Sequence, residues 1–205
     1  MNTFPTDQCL STEITSNNHI KSSFTRFKEV SVKDITHYIN RVPNKYCPQV
    51  DTLPIELINK NVDILAPIFT TIVNKSISSG VVPNAYKEAV VTPIIKKTSP
   101  KPTFSIFRPV SNLPFISKII ERVVSDPINA FTDTQMLDEP LQSAFKKSHS
   151  TETALIKVQN DILMCMDQQQ VVLIALLDLS AAFDTCYHNI LLSRLETQFN
   201  ISGVA

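Results

Sequence analysis

Two aspartates six residues apart, Asp178 and Asp184, carry the most readable chemistry in this 205-residue chain. They lie in the stretch VVLIALLDLSAAFDTCYH, residues 171–188, where seven apolar residues run unbroken into Asp178. Such a run, opening with β-branched residues, predicts a strand from Val171 to Leu177 buried on both faces. A carboxylate at the end of that strand stands at the rim of a sheet, where ligands commonly bind. Half-buried there it needs a partner, and a divalent cation is a good one. The pattern also admits a plainer reading, in which Asp178 caps the turn of Leu179, Ser180 and Ala181. For a strand pattern taken alone, the plainer reading is the commoner one.

Charge sets the surroundings of that stretch. The chain has no net charge, yet residues 87–125 hold seven basic side chains (Lys87, Lys96, Lys97, Lys101, Arg108, Lys118 and Arg122) against Glu88 and Glu121. Residues 148–205 hold six acids against Lys157 and Arg194. A basic segment ahead of an acidic one suits a phosphate-binding part beside a metal-binding part, and equally suits ordinary solvated faces. Only two glycines occur, Gly80 and Gly203, far apart. A P-loop or a dinucleotide fingerprint needs several close together, so both are excluded. Cys9, Cys47, Cys165 and Cys186 form no CxxC pair, which argues against a zinc or disulfide framework and for reduced thiols inside a cell, cytoplasmic or nuclear. No apolar run is long enough to span a bilayer.

The elements that must position these residues follow from spacing. Residues 1–23 are polar and aperiodic, a tail. Val32 to Val42 predicts a short amphipathic helix. Residues 54–79 predict one helix, or two meeting near Pro67, ended by Gly80. Glu88 to Ile95 predicts a strand, followed by a loop and the extended run Phe107 to Val110. Ser111 or Asn112 is expected to cap a helix carrying Ile116, Ile119, Ile120, Val123 and Val124, which Pro127 should kink or end. Ser150 should cap a helix to about Met166, with Glu152 in its first turn and Leu155, Val158, Ile162 and Cys165 facing inward. A last helix, about Asn189 to Thr197, should pack Ile190, Leu191 and Leu195. His149 and His188 read as structural histidines.

Four stretches, in order and at matching spacing, resemble the reverse transcriptases of non-LTR (LINE-type) retrotransposons. They are KEAVVTPIIKK (87–97), FRPVSNLPFISKIIERVV (107–124), QSAFKKSHSTETAL (142–155) and LLDLSAAFDTCYHNILLSRL (176–195). The resemblance implies an α+β, incomplete right-hand polymerase fold, with fingers over 24–150 and a partial palm over 151–205. It implies RNA-directed DNA polymerase chemistry with Mg2+, dNTPs, an RNA template and a DNA primer as partners, and no membrane.

Site roles come from the same resemblance. Asp178 matches the first metal-binding carboxylate, with the Leu179 carbonyl as a further ligand. Phe183 matches the aromatic gate that excludes a ribose 2′-hydroxyl. Arg108 matches the fingers arginine over the triphosphate, where a guanidinium can pair with phosphate oxygens in bidentate fashion. Lys96 and Lys97 would add charge for triphosphate or template, or form a solvated pair at a strand end. Lys146 stands where many relatives place a template-contacting arginine. Asp184 is either functional or a cap for the following helix. Phe107 and Cys186-Tyr187 depart from the family's usual residues. No YADD- or FADD-like pair occurs in these residues, so the expectation is a polymerase fragment inactive by itself. The alternative is a non-catalytic RNA-binding or protein-interaction module using the basic segment 87–125.

Overall fold

The computed structural model describes residues 22–42, 47–51, 53–95, 107–179, 182–183 and 185–205. Six helices and a two-stranded sheet follow one another as α1 (Val32–Arg41), α2 (Ile55–Lys60), α3 (Val62–Ser79), β1 (Val90–Ile95), β2 (Phe107–Asn112), α4 (Phe115–Gln135), α5 (Thr151–Asp167) and α6 (His188–Phe199). This mixture of helices with a small antiparallel sheet agrees with the α+β class at that level.

Local chemistry explains where each helix begins and stops. Ser31 opens α1 with a capping box: its hydroxyl accepts from Asp34 N–H, and the Asp34 carboxylate accepts from Ser31 N–H at 2.8 Å. That hydroxyl beside it lowers the Asp34 pKa. Ile35 and Ile39, four residues apart, are fully buried. The break between α2 and α3 falls at Asn61, whose side-chain amide donates back to the Leu57 carbonyl, rather than at Pro67. Pro67 sits inside α3, and Gly80 ends that helix in the left-handed region at φ 67°.

The core is built from α1, α2, α3 and the first half of α4. Ile35, Ile39, Ile55, Ile58, Ala66, Val73, Ile77, Phe115, Ile116, Ile119, Ile120 and Val123 form its buried cluster. Polar ties hold the layers in register. The Asn74 amide both accepts from Val30 N–H at 2.9 Å and donates to Val30 C=O at 3.0 Å, fixing the incoming chain to α3. The Tyr38 hydroxyl donates to Asp126 at 3.0 Å, joining α1 to α4. Partial burial, then this carboxylate, push the Tyr38 pKa up to about 12.

Residues 200–204 return to the start of the described chain. Phe24 N–H donates to Asn200 C=O, Ser202 N–H to Phe24 C=O, and Val204 N–H to Thr25 C=O. Ile201 is buried there. Gly203 has φ 75°, and a Cβ on it would stand 3.1 Å from the Thr25 carbonyl oxygen, so the turn needs glycine.

Further expectations are corrected. Pro127 does not end α4, which runs on to Gln135; the residues before it are anchored by Val123 and the Tyr38–Asp126 bond, so one lost ladder bond is tolerated. Neither Ser111 nor Asn112 caps α4. The helix starts after Pro114, and the Asn112 amide is spent on Val90 C=O and Thr92 Oγ1 of β1. The inward stripe of α5 is only partly realised, with Ile162 and Cys165 half-buried but Leu155 and Val158 exposed; α6 likewise covers Leu195 in part and leaves Ile190 and Leu191 exposed. Most consequential, Val171 to Leu177 is neither a strand nor buried. A strand exists through its ladder partner, and no described residue pairs with this one.

Candidate functional site

The best-built part of the candidate site is the hairpin that carries Arg108. β1 and β2 pair antiparallel, Val90 opposite Asn112 and Ile94 opposite Arg108. Pro93 faces Pro109, which an antiparallel ladder tolerates at a pair that exchanges no N–H···O bonds. The base of the hairpin is bolted to the core. Phe115 N–H, the first of α4, donates to the buried Asp51 carboxylate at 2.6 Å, and the Ser117 hydroxyl donates to Tyr86 C=O at 2.6 Å. An acid at a helix N-terminus satisfies an orphan donor and opposes the helix dipole favourably. Arg108 therefore projects from a braced strand. It is exposed, and no carboxylate pairs with it among the described residues.

Asp51, Tyr86 and Ser117 are the positioning residues that motif reading missed. Asp51 left one signal, a lone carboxylate within the apolar, proline-flanked stretch 50–55. The Tyr86–Ser117 bond left none, because it joins residues 31 apart.

Lys146 lies in a cleft of about 600 Å³ with Asn129, Asp133, Asp138, Phe145 and Lys147. Its ammonium stands 3.5 Å from the Asp138 carboxylate. That pair is half-exposed and therefore weak, so solvent or a phosphate can compete for the lysine. His149 reads as the structural residue expected of it, with Nδ1 2.9 Å from the Lys147 carbonyl oxygen. Ser150 caps α5 as expected, with Thr153 returning the bond to Ser150 N–H. The Ser150 hydroxyl also lowers the pKa of Glu152.

Asp178, Leu179 and Phe183 are exposed. Among the described residues no hydrogen bond or ion pair joins Asp178 to Arg108, to Lys146 or to any other group. Lys96, Lys97 and Asp184, like the cap proposed at Ser180 and Ala181, lie outside the described residues. No group of three or more His, Cys, Asp or Glu that could hold a metal ion occurs among the described residues. One carboxylate and one carbonyl do not make a two-ion polymerase centre, which bridges its metals with several carboxylates.

Comparison with known proteins decides the family. The profile of the reverse transcriptase (RNA-dependent DNA polymerase) family matches residues 95–203, more than half of the chain and every candidate site residue. The chain belongs to the reverse transcriptase family. Its relatives include the RNA-directed DNA polymerase from mobile element jockey of Drosophila melanogaster, 29% identical over 171 residues, which are 83% of this chain and 19% of that protein. The probable RNA-directed DNA polymerase from transposon BS of the same fly is 24% identical over 84% of this chain and 19% of its own. The corresponding protein of transposon X-element is 30% identical over 52% of this chain and 12% of its own. The LINE-type resemblance read from the four motifs is borne out by these matches. This reverse transcriptase chain spans about a fifth of the jockey and BS proteins. None of its described helices is long and apolar enough to cross a membrane.

Proposed function

We propose that the chain supplies the fingers and the first catalytic block of a right-hand RNA-directed DNA polymerase, with fingers over 24–150 and the palm beginning at 151. The observation that carries this reading is Arg108, on a hairpin whose base is tied to the core and without a carboxylate partner among the described residues, inside the segment that matches the reverse transcriptase family. A guanidinium on a hairpin tied to the core at its base, without a carboxylate partner among the described residues, suits a triphosphate. Lys96 and Lys97 would extend the positive surface along the incoming nucleotide or template. Lys146 would contact the template backbone by exchanging Asp138 for phosphate. The Phe183 ring would stand against the sugar and select deoxynucleotides. Asp178 and the Leu179 carbonyl would be this chain's donors to a divalent ion, which when bound neutralises the triphosphate and activates the primer hydroxyl.

Because the donor set is half of a centre, the purified chain is expected to bind a primer–template without extending it. The test is fluorescence anisotropy with an RNA template annealed to a DNA primer, over a series of salt concentrations. Changing Lys96, Lys97 and Arg108 together to Ala should weaken binding at least tenfold and flatten the salt dependence by up to about three phosphate equivalents. Unchanged affinity would overturn the reading. Templated dNTP incorporation by the wild-type chain would overturn the assignment of a half centre.

A further inference from the structure

The Asp51 carboxylate has more acceptor capacity than the fold uses. Asp51 is only 5% exposed, and its Oδ1 accepts from Phe115 N–H at 2.6 Å. Its Oδ2 is buried without a hydrogen-bond partner among the described residues, and no described lysine or arginine forms an ion pair with it. A carboxylate offers about four lone-pair positions, and a buried one short of donors is costly. Such a group calls for a partner.

The surroundings of Asp51 narrow the chemistry of that partner. Asp51 lines a cavity of about 300 Å³ between residues 50–58, α3, Tyr86 and the start of α4. Phe69, Tyr86 and Phe115 bring three aromatic rings to it, the Phe69 and Phe115 centroids 6.2 Å apart. Leu53 is exposed and Phe69 and Tyr86 are half-buried, so the cavity reaches solvent. Among the described lining residues none is basic, and only Asp51 and Tyr86 have polar side chains. A divalent metal is a poor fit, because it takes six or more ligands, mostly oxygens. A single water is a poor fit too, since it needs two to four polar partners. One carboxylate among aromatic and apolar walls instead suits an organic cation, whose N–H meets the carboxylate and whose body meets the rings. We infer that this cavity binds a small organic ammonium ion, its N–H donating to Asp51 Oδ2 and its apolar body lying among Phe69, Tyr86 and Phe115. The inference rests on the core of α1 to α4 and is independent of the polymerase reading.

The test is a titration of the full chain with benzylamine, followed by two-dimensional amide NMR. Benzylammonium should shift the amides of Asp51, Phe69, Tyr86 and Phe115 together, with a Kd of about 1 mM or tighter. Two relatives of the probe separate its parts on the wild-type chain. Benzyltrimethylammonium keeps ring and charge without an N–H, and benzyl alcohol keeps the ring without charge. Each should bind at least tenfold more weakly. Asp51→Asn retains an oxygen for Phe115 N–H while removing the charge, and should weaken benzylammonium binding at least tenfold. No shift of these four amides up to about 10 mM amine overturns the inference. So does equal binding of all three probes, or of benzylammonium to a folded Asp51→Asn chain. Equal shifts at the exposed carboxylates Asp138 and Asp161 would likewise reduce the binding to unspecific charge attraction and overturn it.

Discussion

Among the described residues, 24–135 and 151–199 are both mostly helical, but the structure treats them differently. In the first region every helix contributes buried residues, and all but one of the buried apolar side chains lie between Ile35 and Val123. In the second, neither α5 nor α6 has a buried residue, and the intervening apolar run is exposed. Both regions have helix caps and amphipathic spacing. Caps and spacing therefore define a helix, while a core requires neighbours that face the same way. The candidate site residues divide along the same line. Arg108 is carried by an anchored hairpin, whereas Asp178 and Phe183 stand on a segment that nothing described supports.

This contrast is sharpest in stability. Ile119→Ala removes a fully buried side chain and should destabilise the chain by about 2–5 kcal/mol in chemical denaturation. Leu177→Ala, at a position exposed to solvent, should change it by less than about 0.5 kcal/mol. Equal costs would erase the distinction between the regions. A smaller effect is expected at the base of the hairpin. Asp51→Ala deletes the bond from Phe115 N–H, but also removes Oδ2, which is buried without a donor among the described residues. The net loss should be about 1 kcal/mol, with weaker nucleic-acid binding because Arg108 loses its brace.

Tyr38 tests the tie between α1 and α4 through pH. Its folded pKa of about 12 lies above its ordinary value of 10.0, so the folded state holds the proton more tightly. The stabilisation is present in full below pH 10 and is lost as pH rises toward 12. Wild type should lose stability relative to Tyr38→Phe across that window, and parallel pH curves would remove Tyr38 from the account. The smallest effect is expected on α5, where Lys157 donates to both oxygens of Asp161, 2.6 Å to Oδ2. Lys157→Ala should cost about 0.3–0.5 kcal/mol of local helix and leave the main unfolding transition unmoved.

Sequence and structure agree where a signal is local. Ser31 and Ser150 each cap a helix, Ser150 as expected from sequence, Gly80 terminates α3, and the run 90–95 forms a strand despite Pro93. They part where the outcome depends on distant partners. An apolar run such as 171–177 encodes the tendency to be buried, but a strand partner is supplied by another part of a polypeptide. Pro127 carries a helix-breaking tendency that tertiary anchoring overrides. Of the candidate site, the residues proposed to touch nucleotide could be read from motifs, since family spacing marks them. Asp51, Tyr86 and Ser117 could not, because their bonds span 64 and 31 residues.

Hydrogen exchange resolved by mass spectrometry tests the division most directly. The amides of α1, α3 and the first half of α4 should exchange only through global opening, while those of 151–179 exchange orders of magnitude faster. Slow exchange across residues 171–179 at concentrations where the chain is monomeric would show that the segment is covered by the chain itself. That result would contradict the account of a core built by α1 to α4.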